Sequence, residues 1–159
     1  MTPPRKGASS AVAPSLAKSP HSIVEEKRNA RAVARRVRAG LIAYNSAKVG
    51  KPDYKRLVLS ARDGKGRIVG GLTGDLYWNA LYIELLWLEE GARKSGLGAG
   101  LMREAEKRAR RARKELIFLN TYSFQAPGFY RRLGFRSFGR ILNYPRGASR
   151  IFFVKMLKA

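Results

Sequence analysis

The sequence contains no cysteine and only one histidine, and its 11 acidic residues face 33 basic ones. Without cysteine the chain can form no disulfide, no thiolate zinc site and no cysteine nucleophile. The single histidine, His21, follows a proline-rich start, where the fixed geometry of a Ser-His-Asp site would be hard to hold. Any catalysis must therefore use Glu, Asp, Tyr, Lys or backbone groups, and we expect no metal site.

Long apolar runs are also missing. No segment approaches the roughly 18 consecutive apolar residues of a membrane helix, and no secretory leader is recognisable near the start. We therefore expect a soluble, cytoplasmic protein without a membrane partner. Its 159 residues are 45% hydrophobic and 10% aromatic, which predicts a folded core despite a net charge of +22.

Residues 1–20 differ in composition from the rest of the chain, because they are rich in proline and serine and contain no acid. We predict a flexible basic tail there and a single folded domain over residues 21–159. A mitochondrial presequence has a similar composition, but prolines disfavour its amphipathic helix. Organellar targeting is therefore the alternative interpretation of this tail.

Local patterns predict the first half of the fold. Residues 22–25, SIVE, have the spacing of a capping box, and the apolar stripe from Ala30 to Leu41 predicts that one face of the following helix is packed. Residues 63–66, DGKG, predict the turn of a β-hairpin. The apolar run over residues 80–88 predicts a central strand that is buried on both faces, with Glu84 as its one charge. With the later segments, the predicted order is α, β, β, β, α, β, α, β, β.

A glycine-bearing loop, residues 93–98 (RKSGLG), precedes the second helix. The first amides of a helix have no intrahelical partner and carry partial positive charge, so this position favours a phosphate. The loop lacks the Gly-Lys-Ser/Thr ending of a nucleotide P-loop and the third glycine of a dinucleotide fold. A plain strand-to-helix turn is the structural alternative.

Two segments resemble the GNAT superfamily of acetyl-coenzyme A dependent N-acetyltransferases. Residues 86–98, LWLEEGARKSGLG, are similar to that family's strand and its R-x-x-G-x-G/A diphosphate loop. Residues 123–135, SFQAPGFYRRLGF, are similar to its later segment ending in F-Y-x-x-L-G-F. The resemblance spans about residues 23–157 and is greatest to small bacterial members whose substrates are largely unassigned.

The resemblance implies an α/β fold whose twisted mixed sheet is flanked by helices and splayed between the fourth and fifth strands of the family fold, here residues 80–88 and 115–122. Acetyl-CoA is the implied cosubstrate in that gap. Family members commonly have Asn where this chain has Ser123, and small relatives have His where it has Ala148. The residues implied to bind the cosubstrate are Trp87, Leu88, Arg93, Lys94, Ser95, Gly96, Leu97, Gly98, Ala99, Ser123 and Phe129.

Two residues are candidates for proton transfer. Acetylation of an amine needs a neutral amine and a proton for the leaving thiolate. Tyr130 matches the position that acts as general acid in many family members; an aromatic core residue is the alternative. Glu84 is the candidate base, because a carboxylate in an apolar strand either has a raised pKa or forms a buried salt bridge. Asp75 and Glu89 could take the same role through water.

The predicted reaction is direct transfer, in a ternary complex, of an acetyl group from acetyl-CoA to a primary amine of a small molecule or a protein. Trp78 and Tyr122 are the residues expected to line the acceptor pocket. The acid-free basic segment from Lys27 to Arg38 favours contact with RNA or a ribonucleoprotein. Two alternatives stay open: an acceptor attached to RNA or the ribosome, and a non-catalytic GNAT-fold component of a ribonucleoprotein complex.

Overall fold

The computed structural model describes residues 21–157. The chain divides into two compact units, residues 1–44 and 45–159. The tail predicted over residues 1–20 lies outside the described residues, and the domain boundary predicted after it stays a prediction. The order of the elements confirms the sequence pattern: α1 (Ala30–Val49), β1 (Lys55–Arg62), β2 (Ile68–Tyr77), β3 (Ala80–Leu88), α2 (Leu97–Arg111), β4 (Leu116–Tyr122), α3 (Pro127–Arg132), β5 (Arg136–Leu142) and β6 (Ser149–Met156).

Helix α1 differs from the prediction in two ways. It begins at Ala30, so the capping box predicted at residues 22–25 is wrong. The first turn of α1 contains no acid, so the helix lacks the favourable charge that Glu25 and Glu26 would give to a start at residue 23. The predicted packed face is also wrong, because α1 contains no buried residue. Among the described residues, no helix is both long and apolar enough to cross a membrane.

The second unit contains a six-stranded mixed sheet in the order β1-β2-β3-β4-β6-β5. Only β3 and β4 pair in parallel, and the other neighbours are antiparallel. Helix α2 packs its apolar face against β1 to β4, because its small and apolar residues recur at helical spacing. The fully buried core includes Leu72, Leu81, Ala105, Ala109, Ile117, Leu119, Ile151 and Phe153.

Strand β3 changes its surroundings halfway along its length. Residues 80–83 pair with both β2 and β4, and the pairing with β4 ends at Ile83 and Leu119. Glu84 has no cross-strand partner, and from Leu85 to Leu88 the strand pairs with β2 alone. This divergence confirms the predicted splay of the sheet. Burial on both faces was predicted for the whole strand and is wrong for its second half, where Trp87 is 55% exposed.

Candidate active site

A cleft of about 820 Å³ opens where β3 and β4 diverge. One wall is the second half of β3, and the other is the end of β4 with the loop that leads into α3. The first turn of α2 closes one end. The residues that line the cleft are Ile83, Glu84, Leu85, Leu86, Trp87, Leu88, Arg93, Lys94, Gly96, Gly98, Ala99, Leu119, Asn120, Thr121, Phe124, Gln125, Ala126, Phe129, Tyr130 and Arg132.

The β3 wall exposes an unpaired strand edge to the cleft. Backbone groups on such an edge can hydrogen-bond an extended ligand as an added strand would. On its other side β3 packs tightly against β2, where a Cβ atom on Gly70 would lie 2.7 Å from the carbonyl oxygen of Trp87. The glycine in β2 therefore lets the two strands approach while Trp87 and Leu88 remain at the cleft.

The first turn of α2 presents free backbone amides to the cleft. Gly96 precedes the helix with a φ of 87°, a left-handed conformation that favours glycine. The first hydrogen bond of the turn runs from the amide of Gly100 to the carbonyl of Gly96, at 2.9 Å. The amides of Gly98 and Ala99 therefore have no intrahelical acceptor, and both residues line the cleft. This end of the cleft suits an anion.

The loop before α2 is held by its own side chains. The Arg93 guanidinium donates through Nε to the carbonyl of Leu88 at 3.2 Å. The Ser95 hydroxyl donates to the carbonyl of Ala92 at 2.7 Å and accepts from the amide of Leu97 at 3.4 Å. Ser95 and Leu97 do not line the cleft. They shape the loop whose glycines do.

Tyr130 combines a buried ring with an accessible hydroxyl. Its ring packs against Phe129, Phe135 and Phe153, and the residue is 8% exposed. Among the described residues, none hydrogen-bonds the hydroxyl, yet no side-chain oxygen is both fully buried and without a partner. The hydroxyl therefore opens to the cleft that Tyr130 lines. Burial raises the pKa of Tyr130 to about 12, so the phenol is protonated and can donate at neutral pH.

Glu84 lies on a β-bulge rather than in the core. The register of β2 against β3 shifts so that Thr73 faces Leu85 and Gly74 faces Ile83, which leaves Glu84 without a cross-strand partner. Its side chain is 42% exposed, accepts a hydrogen bond from Arg56 and accepts another from the Thr73 hydroxyl at 3.3 Å. The predicted buried carboxylate is therefore wrong, because the bulge turns this side chain out of the core.

Arg56 joins Glu84 to a second carboxylate. Its Nη1 donates to Asp75 Oδ1 at 2.8 Å, and the Tyr54 hydroxyl donates to the same oxygen at 2.8 Å. Burial raises the pKa of Asp75, but the hydrogen bonds from Arg56 and Tyr54 outweigh it and hold the pKa below its usual range. The hydrogen bonds to Asp75 and then Glu84 raise the pKa of Arg56. This charged group extends across three strands, and Glu84 is its member at the cleft.

Three other predicted residues, Trp78, Tyr122 and Ser123, do not line the cleft. Trp78 lies at the opposite end of β3 from the cleft, with its indole donating to the Gly50 carbonyl at 3.3 Å, so the structure does not bring it to the predicted acceptor pocket. Ser123 does not line the cleft, because its hydroxyl accepts from the amide of Ser149 at 3.0 Å. Tyr122 does not line the cleft, but it stacks on Phe124, which does, with ring centroids 5.3 Å apart.

Sequence reasoning missed several residues of the β4 wall and of α3. Asn120 lines the cleft, donates to the Tyr82 hydroxyl at 3.3 Å and accepts from Arg150 Nε at 2.7 Å. Gln125 also lines the cleft, and its Oε1 accepts a hydrogen bond from the Thr121 hydroxyl at 2.8 Å. The available signal was the polar ending of an otherwise apolar strand. A polar ending alone does not distinguish a cleft from a strand that simply leaves the core.

The splayed sheet, with a glycine-opened helix at its gap, is the architecture expected of an acyltransferase of the GNAT type. A family model described as the acetyltransferase (GNAT) family matches residues 22–135. A crystal structure of an acetyltransferase from Bacillus cereus superposes with a TM-score of 0.80 and 33% identity, covering 86% of this chain and 98% of that one. The chain therefore belongs to the acetyltransferase (GNAT) family and is an enzyme of that family.

Two further relatives share shorter stretches. Blasticidin-S acetyltransferase of Streptomyces morookaense is 43% identical over 94 residues, which cover 58% of this chain and 69% of that protein. An acetyltransferase of Agrobacterium fabrum is 31% identical over 105 residues, which cover 66% of this chain and 77% of that protein. Both similarities agree with the family assignment.

Proposed function

We propose that this enzyme transfers the acetyl group of acetyl-CoA to a primary amine, with both substrates bound in the cleft at once. One observation carries the proposal: a free strand edge and free helix amides meet in a single cleft. The edge from Glu84 to Leu88 fits the amide groups of pantetheine, and the first turn of α2 fits the diphosphate. The residues present therefore fit acetyl-CoA.

In the proposed reaction the acetyl group exchanges its bond to sulfur for a bond to nitrogen. A bond forms between the amine nitrogen and the acetyl carbon, and the carbon–sulfur bond breaks with its electron pair on sulfur. The ammonium ion of the acceptor first loses a proton to Glu84 or to solvent. Tyr130 then donates its hydroxyl proton to the sulfur, and the second proton, lost by the nitrogen after the new bond forms, passes to the phenolate and restores the phenol. Glu84 holds this role through its position in the cleft, not through burial.

The proposed acceptor is a small molecule. The relative from Streptomyces morookaense is named for blasticidin S, a small-molecule acceptor, and it shares 43% identity over its matched residues. The cleft supports this choice because its volume of about 820 Å³ is within the range of small-molecule sites. Glu84 is the carboxylate in its lining, which suits an acceptor that approaches as an ammonium ion.

The first test is isothermal titration of acetyl-CoA into nucleic-acid-free protein. Gly96→Glu should abolish binding, because it places a carboxylate where the diphosphate would lie. Gly66→Glu is the matched control, since Gly66 also has a positive φ and nothing within 4 Å of an added Cβ. Saturable binding by the parent and the control, with none by Gly96→Glu, is the expected result. No binding by the folded parent would contradict the proposal and favour the non-catalytic alternative.

The role of Tyr130 is tested with an acceptor found by screening amines. Tyr130→Phe keeps the packed ring and removes only the proton donor. We expect acetyl-CoA to bind with unchanged affinity while the rate of transfer falls by about 10²–10⁴-fold. A rate equal to that of the parent would exclude the acid role. Phe129→Tyr adds a hydroxyl next to the site and should not restore the rate in the double variant.

A second candidate, an acceptor carried on RNA, is favoured by the charge of α2. Arg103, Lys107 and Arg111 recur every four residues and form an exposed cationic stripe along this helix. None of the three forms an ion pair within 4 Å among the described residues, although Lys107 and Arg111 help to lower the pKa of Glu104, whereas Arg108 and Arg110 are each held by a glutamate at 2.8 Å. A stripe of unpaired cations fits a phosphate backbone.

Salt dependence tests this second candidate. Replacing the three stripe residues by Gln should lower the slope of log affinity for a single-stranded RNA against log salt by about two, since each phosphate contact contributes roughly 0.7. Gln at Lys55, Lys65 and Arg136 removes the same charge from exposed positions outside the helices. An equal decrease of the salt-dependence slope in both variants would mean that net charge alone attracts RNA. A similar affinity for anionic lipid vesicles would also contradict the candidate.

A further inference from the structure

Three cationic side chains line the cleft, and they have different structural roles. Arg93 is committed through Nε to the Leu88 carbonyl and holds the loop. Lys94 lies in that loop with a φ of 60°, two residues before Gly96, the glycine that precedes α2. Arg132 comes from α3 instead, on the other side of the cleft opening. The proposed reaction assigns no role to Arg132.

The position of Arg132 follows from the contact between α2 and α3. A Cβ atom on Gly98 would lie 3.5 Å from the ring of Phe129, so the first turns of the two helices are in contact. A Cβ atom on Gly128 would lie 3.5 Å from Nη1 of Arg132, so the guanidinium folds back along α3 towards that same first turn. Arg132 therefore lies at the anion-binding end of the cleft.

The guanidinium of Arg132 has no partner among the described residues, since no hydrogen bond, ion pair or ring contact engages it. The adjacent Arg131 is different, because its guanidinium lies over the ring of Phe153 at 5.7 Å. Two successive arginines on one short helix thus face different surroundings. One packs on the core, and the other offers a free bidentate cation to the cleft.

We propose that Arg132 binds the 3′-phosphate of the ribose in acetyl-CoA and makes the enzyme select phosphorylated coenzyme A over its dephosphorylated form. This inference rests on the proposed use of acetyl-CoA. The amides of α2 satisfy the diphosphate, but they leave the third phosphate, a dianion, without a counter-charge. Arg132 supplies that charge with the planar geometry that favours a phosphate.

Coenzyme A and dephospho-coenzyme A test the inference, because they differ only by that phosphate. Titration calorimetry at one fixed salt concentration should show that the parent binds the dephosphorylated form about 10–100-fold more weakly, the range for one hydrogen-bonded charge pair. In Arg132→Gln the ratio of the two dissociation constants should fall to a few-fold. In Arg131→Gln, which loses the same charge from the same helix, the ratio should stay at the parent value. Lys94→Gln should weaken both ligands and keep their ratio.

Each other outcome has a definite meaning. Equal affinity of the parent for both ligands, or an unchanged ratio in Arg132→Gln, would overturn the assignment and leave the proposed function intact. An equal fall of the ratio in both arginine variants would reduce the effect to net charge and would also overturn it. A folded parent that binds neither ligand would overturn the proposed function and this inference together. Thermal unfolding of each variant checks that the fold is retained.

Discussion

The two halves of strand β3 have similar sequences and different surroundings. Residues 80–83 pair on both sides and are mostly buried, whereas residues 84–88 pair on one side and are largely exposed at the cleft. The change occurs at the Glu84 bulge, where β3 turns away from β4. One apolar strand therefore stabilises the core with its first half and presents an unpaired edge to the cleft with its second half. In this second half Leu86 and Leu88 still pack against the core, whereas Leu85 and Trp87 are exposed and are available to a ligand.

Truncating a side chain in each half gives the largest expected difference. Leu81 is completely buried, so Leu81→Ala should lower the free energy of unfolding by about 2–5 kcal/mol. Leu85 is 60% exposed, so Leu85→Ala should change it by no more than about 0.5 kcal/mol. Urea denaturation of both variants measures the difference. Equal losses would mean that the second half of β3 also belongs to the core.

The ring of Tyr130 packs in the core and its hydroxyl opens to the cleft. The free energy of unfolding should therefore depend on pH through the ionisation of this phenol. Its pKa rises from the ordinary value near 10 to about 12, so the folded state keeps a proton that the unfolded state loses between those values. The parent should therefore lose up to about 2.7 kcal/mol of stability as the pH rises from 10 to 12. Tyr130→Phe should lack this part of the alkaline loss. Parallel stability curves for the two proteins between pH 9 and 11 would contradict the burial of the phenol.

The bulge itself can be strained by one methyl group. A Cβ atom on Gly74 would lie 2.5 Å from the carbonyl oxygen of Tyr82, a backbone atom that cannot move aside cheaply. Gly74→Ala should cost about 1–3 kcal/mol. Gly64→Ala is the control, because nothing lies within 4 Å there, and it should stabilise the fold by about 0.4–1 kcal/mol. Chemical denaturation should give opposite signs for the two substitutions, and a loss in both would show that the strand contact is not the cause.

The smallest expected effect concerns the carboxylates on either side of Arg56. Glu84→Gln should shift the denaturation midpoint less than Asp75→Asn, because Asp75 accepts from both Arg56 and Tyr54 and is the less exposed of the two. The pKa of Asp75 is lowered, so its contribution is present at neutral pH and is lost on acidification through that lowered value. Asp75→Asn should therefore lose less stability than the parent as the pH falls. A larger shift of the denaturation midpoint for Glu84→Gln than for Asp75→Asn at neutral pH would mean that Glu84 is the more stabilising partner of Arg56.

The sequence patterns predicted the elements of the second unit closely, because strand alternation and helix periodicity are local properties. They could not predict the exposure of Glu84, which depends on a bulge and on Arg56, 28 residues away in another strand. The apolar sequence of β3 does not distinguish an edge that pairs with a strand from an edge that is open to a ligand. The error at the start of α1 is of another kind, because the capping-box pattern is present at residues 22–25 but the helix begins only at Ala30.

The site shows the same division between local and tertiary information. The loop glycines and Tyr130 were found because they fall on recognisable motifs, and the structure places them together at one cleft. Trp78 was predicted from aromatic character near the strand, but it lies beyond the far end of β3. Arg131 and Arg132 are indistinguishable in sequence. Only the helix geometry directs one towards Phe153 and the other towards the cleft.

Amide hydrogen exchange with and without acetyl-CoA measures directly whether the second half of β3 binds the cosubstrate. We predict that acetyl-CoA slows exchange in two segments, residues 84–88 of β3 and residues 96–99 at the start of α2. Exchange in residues 80–83, which already pair on both sides, should not change. Slower exchange confined to other strands, or a uniform slowing along the whole of β3, would contradict the claim that the second half of this strand is the binding edge.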